Sequence, residues 1–524
     1  MITNKQLLIK SALFCLVGLT GCSMSQVNSF KPMPPAVKWQ EPLPATQAHD
    51  GKLSDLKSWW EQFNDSTLIT LIEAAQKVSP DIESAKARVI AAQSSTTIAD
   101  AQLLPAITLD ASASRGRSGQ ILPTANGITF PTSNTLGINA SASWELDVWG
   151  KNKAAQNEEM AKLAATNALW HEARVIVAAQ TANYYINYRL CENLSKIAEQ
   201  AADSSTETAR LSDLTAKAGF LATSSASQAI AQAAEAKNQL KKQTLQCTLI
   251  IKNIVALTAI AEPELRELLA KNTGVIPMPS GIEVSEIPAK LLSQRPDVLN
   301  AERNVDAASF EIANNEAQRY PRLSLAGNIG LAYDSASHKL MTNRRRSSLN
   351  GLTWSIGPIE VSLPIFDAGV RDANIKAAKA QYEATKSTYE SVARNAVREV
   401  EDAMATLNSA TARLDDVNKA VDGFAISLAA TDSRYKASLA NLFELEEARR
   451  ASFQAQNNLY ALKNEQALAW VSLYRAMGGG WTLAMNTPTL AFDRELKIAE
   501  PSNSATISAI PVIDSASIKE QAKP

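Results

Sequence analysis

The sequence predicts a mainly helical chain with transmembrane β-strands, built from an internal duplication. Three observations predict it. The first is a repeat at an offset of about 217 residues, long enough to be an architectural unit. Ser79-Pro80-Asp81-Ile82 leads to Leu104-Pro105-Ala106, and Arg295-Pro296-Asp297-Val298 leads to Tyr320-Pro321-Arg322, with 25 residues between the prolines of each copy. The second is two stretches almost empty of helix breakers. No proline falls between Pro131 and Pro263 or between Pro364 and Pro488, and only Gly219 and Gly423 interrupt the long runs after Gly150 and Gly369. The third is apolar-polar alternation just before each run, as in Ile107 to Ser114 and Leu136 to Ser143.

Charge excludes some partners. The 524 residues carry 52 Lys and Arg against 53 Asp and Glu, so neither a nucleic-acid footprint nor a field for acidic substrates is expected. Residues 1–21 read as a secretory signal, with Lys5 and Lys10, an apolar run from Ser11 to Leu19, and small residues before Cys22. Leu19-Thr20-Gly21-Cys22 resembles the lipobox of bacterial lipoproteins. That resemblance makes Cys22 the first mature residue, acylated and anchoring the chain without a spanning helix. Ser23 stands where inner-membrane retention would place aspartate, which favours the outer membrane. Beyond the signal, nothing approaches the roughly 20 consecutive apolar residues of a membrane helix, so any crossing must use strands.

In chain order, residues 22–58 form a lipidated leader, extended because of Pro32, Pro34, Pro35, Pro42 and Pro44. The first repeat covers 59–262. Trp59, Trp60 and Phe63 open a helical stretch through Leu68, Leu71 and Ile72, where aromatics serve packing. A β-hairpin follows over about 105–148, its two strands joined by a polar loop from Arg115 to Asn134. A helical hairpin over about 150–262 then turns near Gly219. Its first arm would be about 100 Å long if unbroken, at ~1.5 Å per residue. No compact core needs such a helix, and its alanine content suits helices packed side by side.

Residues 263–294 are a linker or equatorial segment, and the second repeat covers 295–481. Its β-hairpin spans about 321–366, with Leu323-Ser324-Leu325, Ile329 to Leu331 and Leu352 to Ile356 alternating, and a loop from Asp334 to Asn350 carrying Arg344, Arg345 and Arg346. Its helical hairpin over about 369–477 turns near Ser438, and 482–524 reads as a disordered tail. Four strands with one apolar and one polar face fit a membrane barrel but cannot close one, since a bilayer tolerates no open edge and single-chain barrels start at about eight strands. A homo-oligomer must complete the wall. Two copies would give eight strands and three would give twelve, of which only twelve leaves a useful water channel.

With these features the chain resembles the outer membrane factors of the TolC and OprM type, in the lipoprotein efflux branch. The resemblance rests on the paired Pro-to-Pro segments, Trp144-Glu145-Leu146-Asp147-Val148-Trp149-Gly150, Leu363-Pro364-Ile365-Phe366-Asp367-Ala368-Gly369, and Met477-Gly478-Gly479-Gly480-Trp481. It implies a homotrimer: a 12-stranded outer-membrane β-barrel continued by a periplasmic α-helical barrel. It also implies a periplasmic adaptor and an inner-membrane transporter of RND type as partners. The segment from Tyr435 to Glu447 is similar to the family's closing hairpin, which assigns Tyr435, Glu444 and Glu447 to the constriction. The two glutamates are spaced i, i+3 and so share a helix face, and a ring of them would select cations. The turns carrying Gly219 and Phe220, and Ser438 and Leu439, take the place of the adaptor contacts. Ser225 stands where the family's tyrosine meets an aspartate, and Ala440 replaces its arginine, which leaves Arg434 and Lys436 as candidates for the lock.

Cys15 lies in the signal, leaving Cys191 and Cys247, each 28 residues from Gly219. In an antiparallel hairpin they lie at one height, as a disulfide or as two buried thiols. His49, His171 and His338 are scattered, and no HExxH, CxxC, phosphate loop or GxSxG is present, so neither enzyme nor metal site nor cofactor is expected beyond the lipid on Cys22. The expected function is a passive exit duct for small toxic compounds in a tripartite efflux pump, opened by an iris motion of the inner hairpins. A duct for type I protein secretion and a structural envelope lipoprotein with coiled-coil arms are the alternatives.

Overall fold

The computed structural model describes residues 59–117, 122–124, 127–129, 132–279, 295–334 and 351–479. The signal segment, Cys22 and the leader lie outside the described residues. So do His49, His338, Arg344 to Arg346, residues 280–294 and 480–524, and parts of the expected loops.

A one-turn 3-10 helix, Trp59–Phe63, precedes α1 (Ser66–Val78) and α2 (Pro80–Ala101). Next come β1 (Ala106–Arg117), β2 (Leu122–Thr124), β3 (Gly127–Thr129) and β4 (Thr132–Leu146). The first long hairpin is α3 (Lys151–Lys217) with α4 (Thr223–Thr258), followed by α5 (Glu262–Leu269). The second half contains α6 (Pro296–Ala317), β5 (Arg322–Asp334), β6 (Gly351–Ser362), α7 (Val370–Lys436) and α8 (Leu442–Ala476).

Local chemistry sets the boundaries. Asp65 caps α1 by accepting from the Thr67 and Leu68 amides, and the Leu68, Leu71, Ile72 and Ala75 stripe is buried. Pro80 and Pro296 occupy the first turns of α2 and α6, where a missing N–H costs nothing. The long helices α3 and α7 both start after a left-handed glycine, Gly150 and Gly369. Asp147 accepts from the Asn152 and Lys153 amides, and Asp367 from the Gly369 and Arg371 amides, so an aspartate caps each helix.

The four long strands form one antiparallel sheet in the order β1-β4-β5-β6, so the two hairpins of the duplication join through β4 and β5, while β2 and β3 pair with each other. The register sorts the faces. Leu109, Ala140, Ile329 and Trp354 share one rung, whereas the adjacent rung is Asp110, Asn139, Gly330 and Thr353 on the opposite face. The next polar rung is cross-linked, with Thr108 Oγ1 and Ser141 Oγ 2.7 Å apart and Ser355 donating to Asn328 at 2.5 Å. In β6 the apolar parity changes from Leu352, Trp354 and Ile356 to Ile359 and Val361. One extra residue at Gly357-Pro358 makes the change, a bulge opposite Leu325 to Gly327 that keeps the apolar face continuous.

Two expectations need correction. The segment from Arg115 to Asn134 is not all loop: β1 runs to Arg117, β4 starts at Thr132, and β2 pairs with β3 between them. Its Thr124, Ile128 and Thr129 favour strand, and Asn126-Gly127 favours a tight turn between them. Pro263 begins no linker; it lies in the first turn of α5, whose Leu265 and Leu269 are buried. Proline at that position starts a helix rather than stopping one.

The core lies where the halves meet. Trp59, Trp60 and Tyr474 cluster, with Trp60 and Tyr474 ring centroids 4.6 Å apart. Arg189, fully buried, donates to the Leu269 and Lys271 carbonyls and the Tyr185 hydroxyl, and Tyr185 donates to Asp65 at 2.6 Å. Arg295 donates to the Ala476 carbonyl and pairs with Asp297 and Glu399, tying α6, α7 and the end of α8 together. Each buried cation is matched, as burial requires.

Candidate gating tip and channel wall

Both helical hairpins turn by the same device. In the first, the Gly219 amide donates to the Ala216 carbonyl at 2.9 Å and the Phe220 amide to Thr215 at 3.0 Å. In the second, Ser438 donates to Tyr435 at 2.9 Å and Leu439 to Arg434 at 2.8 Å. This is the Schellman closure, which needs a left-handed residue; Gly219 has φ 82° and Ser438 φ 59°. The residues that follow project outward, Phe220 85 % exposed and Leu439 71 % exposed.

The acidic residues lie just beyond the second turn. Asn441 caps α8 by accepting from the Glu444 amide, and its own amide donates to the Glu444 carboxylate at 2.9 Å. Glu444 and Glu447 are exposed, within 3.5 Å of Arg434 and 4.0 Å of Arg450. Arg434 also donates to the Leu439 carbonyl, and Lys436 pairs with Asp432. Both candidate lock residues therefore spend their charge inside their own hairpin. Tyr435 is half-buried, and no hydrogen bond joins it to Ser225 among the described residues of the single chain.

A buried tie between the hairpins lies elsewhere, in addition to the bond that Asn464 of α8 donates to Asn187 of α3 at 3.2 Å. Glu446 is buried, accepts from Ser204 of α3 at 3.0 Å, and pairs with Arg449 at 2.7 Å; Arg449 also donates to Ser204 at 2.8 Å. Sequence reading missed it because three glutamates in four positions look alike from composition. The i, i+3 spacing of Glu446 and Arg449 was the available signal.

Cys191 of α3 and Cys247 of α4 are joined, with S–S 2.07 Å and Cα atoms 5.5 Å apart. His171 of α3 is buried beside Trp170. Burial, reinforced by the nearby Arg174 charge, lowers its pKa to about 4. Among the described residues no group of three or more His, Cys, Asp or Glu side chains is arranged to hold a metal ion, and no single described helix is long and apolar enough to cross a membrane.

The helices run side by side in an order matching the sheet. α4 packs on α3, α3 on α8, and α8 on α7, so α4 and α7 are outermost, as β1 and β6 are. The outer helices leave apolar side chains exposed: Ile230, Leu245 and Leu249 on α4, Phe424 and Ile426 on α7. The apolar sheet face is equally bare, with Ile107, Leu109, Trp354 and Ile356 all well exposed. A wall of this kind has two unsatisfied edges and one apolar face.

Comparison with known proteins accords with this geometry. The family model described as outer membrane efflux protein matches residues 71–259 and 287–479, one segment in each half of the duplication. The solvent efflux pump outer membrane protein SrpC of Pseudomonas putida is 27 % identical over 487 residues, covering 90 % of this chain and 98 % of SrpC. Outer membrane protein OprJ of Pseudomonas aeruginosa is 26 % identical over 475 residues, covering 90 % of this chain and 95 % of OprJ. Among solved structures, the Campylobacter jejuni CmeC outer membrane channel superposes with a TM-score of 0.72 at 21 % identity, over 89 % of this chain and 95 % of CmeC, a likeness of fold. A bare-edged wall of strands and helices, and a family match that repeats with the duplication, lead to one assignment: the chain belongs to the outer membrane efflux protein family.

Proposed function

We propose that three copies of this chain close around one axis into a 12-stranded barrel in the outer membrane and a helical barrel below it. The assembly is the passive exit duct of a tripartite pump. The observation that carries this reading is the coincidence of edges. β1 and α4 are outermost on one side of the chain and β6 and α7 on the other, so one head-to-tail contact joins strands and helices together. Open strand edges cannot persist in a bilayer, and twelve strands leave a water-filled bore where eight would be filled by side chains.

In this reading the apolar face meets lipid and the Asp110, Asn139 and Asn328 face lines the bore. An acylated Cys22 adds an anchor. The tips carrying Gly219 and Phe220, and Ser438 and Leu439, meet a periplasmic adaptor, which couples the duct to an inner-membrane transporter of RND type. Glu444 and Glu447 from three chains form the constriction near Tyr435, and the inner hairpins α7 and α8 move to open it. The relatives named for solvent efflux favour small organic compounds as cargo over an unfolded protein.

Planar-bilayer recording tests the reading. The wild-type protein should give small, cation-selective currents, and the Glu444→Gln, Glu447→Gln double variant should conduct several-fold more with weaker selectivity, because the carboxylate ring sets both. A protein that inserts into bilayers yet passes no current, wild type and variant alike, would overturn it.

A further inference from the structure

Where the strands give way to the long helices, a cavity of about 480 Å³ opens, a size that suits a small organic molecule. Its aromatic wall is Trp149 stacked on Tyr320, with centroids 4.9 Å apart and planes 20° apart, held by the Trp149 indole N–H donating to the Pro321 carbonyl at 2.8 Å. Its polar wall carries Glu145, Asp147, Lys151, Arg322 and Arg371.

Most of these charges are matched. Lys151 pairs with Glu145 at 2.7 Å, and Asp147 accepts two backbone amides at the start of α3. Arg371 pairs with Asp367 at 2.6 Å and donates to the Gln318 carbonyl. Arg322 is exposed and has no acidic partner among the described residues. It lies opposite Ser362 in the β5–β6 register, on the polar face with Glu145 and Ser324. Asp147 and Asp367 already cap α3 and α7 here, so Arg322 is the cation of this wall left for an anion to meet.

We infer that this cavity is a binding site for aromatic carboxylates, the ring lying on Trp149 and Tyr320 and the carboxylate on Arg322. The inference rests on the proposed duct, in which the polar sheet face lines the bore, and it gives each chain one such site at the neck of the barrel. Guanidinium and carboxylate make a two-point, charge-assisted contact, and the ring pair gives flat apolar area; an aliphatic acid of the same charge lacks the second. Glu360, opposite Ser324 on the same face and diagonal to Arg322, opposes the anion.

The test uses the full-length protein in planar bilayers, in the Glu444→Gln, Glu447→Gln background, with salicylate added on the barrel side. Salicylate should interrupt the current in a concentration-dependent way, and acetate at equal concentration should not. Arg322→Gln should raise the half-blocking concentration about tenfold, Arg322→Lys should raise it less, and Glu360→Gln should lower it. Open channels on which salicylate and acetate act alike, or block unchanged by Arg322→Gln, would overturn the site while leaving the duct intact. The absence of any channel would overturn the duct and this site with it.

Discussion

Ser438 holds the backbone conformation that Gly219 holds in the other hairpin, and an L side chain adopts it at a cost. Ser438→Gly should therefore stabilise the second turn by about 1 kcal/mol, and Gly219→Ala should weaken the first by a similar amount. The readout is hydrogen exchange of the Leu439 amide, which donates across the turn; exchange should slow several-fold in Ser438→Gly. His171 gives a second expectation. Its pKa in the fold is about 4, below the ordinary 6.5, because burial and Arg174 disfavour its charge. Between these values the unfolded chain binds a proton that the folded chain does not, so stability falls as pH drops from about 6.5 to 4 and levels off below. His171→Leu should remove this part of the acid sensitivity, read as the difference between the two stability profiles; parallel profiles would contradict it. At this scale the sequence was only partly legible. Spacing placed Glu444 and Glu447 on one face, but burial of Glu446 depends on which side of α8 meets α3, and that is a property of the pair.

The elements were more legible, because proline and glycine act locally. Pro80 and Pro296 start helices, Gly150 and Gly369 precede the long ones, and alternation located the four main strands. What local signals could not supply was the pairing of β4 with β5, a contact between residues far apart in the chain, or the bulge at Gly357-Pro358 that corrects the parity of β6. Pro263 was misread for a related reason: a proline marks a boundary without saying on which side the helix lies. The bond between Cys191 and Cys247 was one of two open readings, because equal distance from Gly219 sets height but not rotation about each helix axis. Closing a separation of 56 residues, it should stabilise the α3–α4 hairpin by about 2 to 4 kcal/mol. A Cys191→Ser, Cys247→Ser variant should expose that hairpin to protease at a lower denaturant concentration than the wild type. A non-reducing peptide digest should yield the two cysteine peptides linked, and separate thiol peptides would contradict the bond.

At the scale of the molecule, the duplication is a construction rule. Each half supplies two main strands and one long helical hairpin, and the halves are joined so that strand order and helix order agree. That agreement lets one rotation satisfy both edges, and it makes a bare apolar sheet face and exposed side chains such as Leu245, Leu249 and Ile426 features of an unfinished wall. The duplication and the impossibility of a four-stranded barrel were legible in sequence because both follow from counting. The alignment of the edges was not, since it emerges only when four helices and four strands are placed together. The number of copies is the central claim, and native mass spectrometry of the detergent-solubilised protein tests it most directly. The account predicts a complex of three chains, whereas a stable complex of one, two or four chains would contradict it.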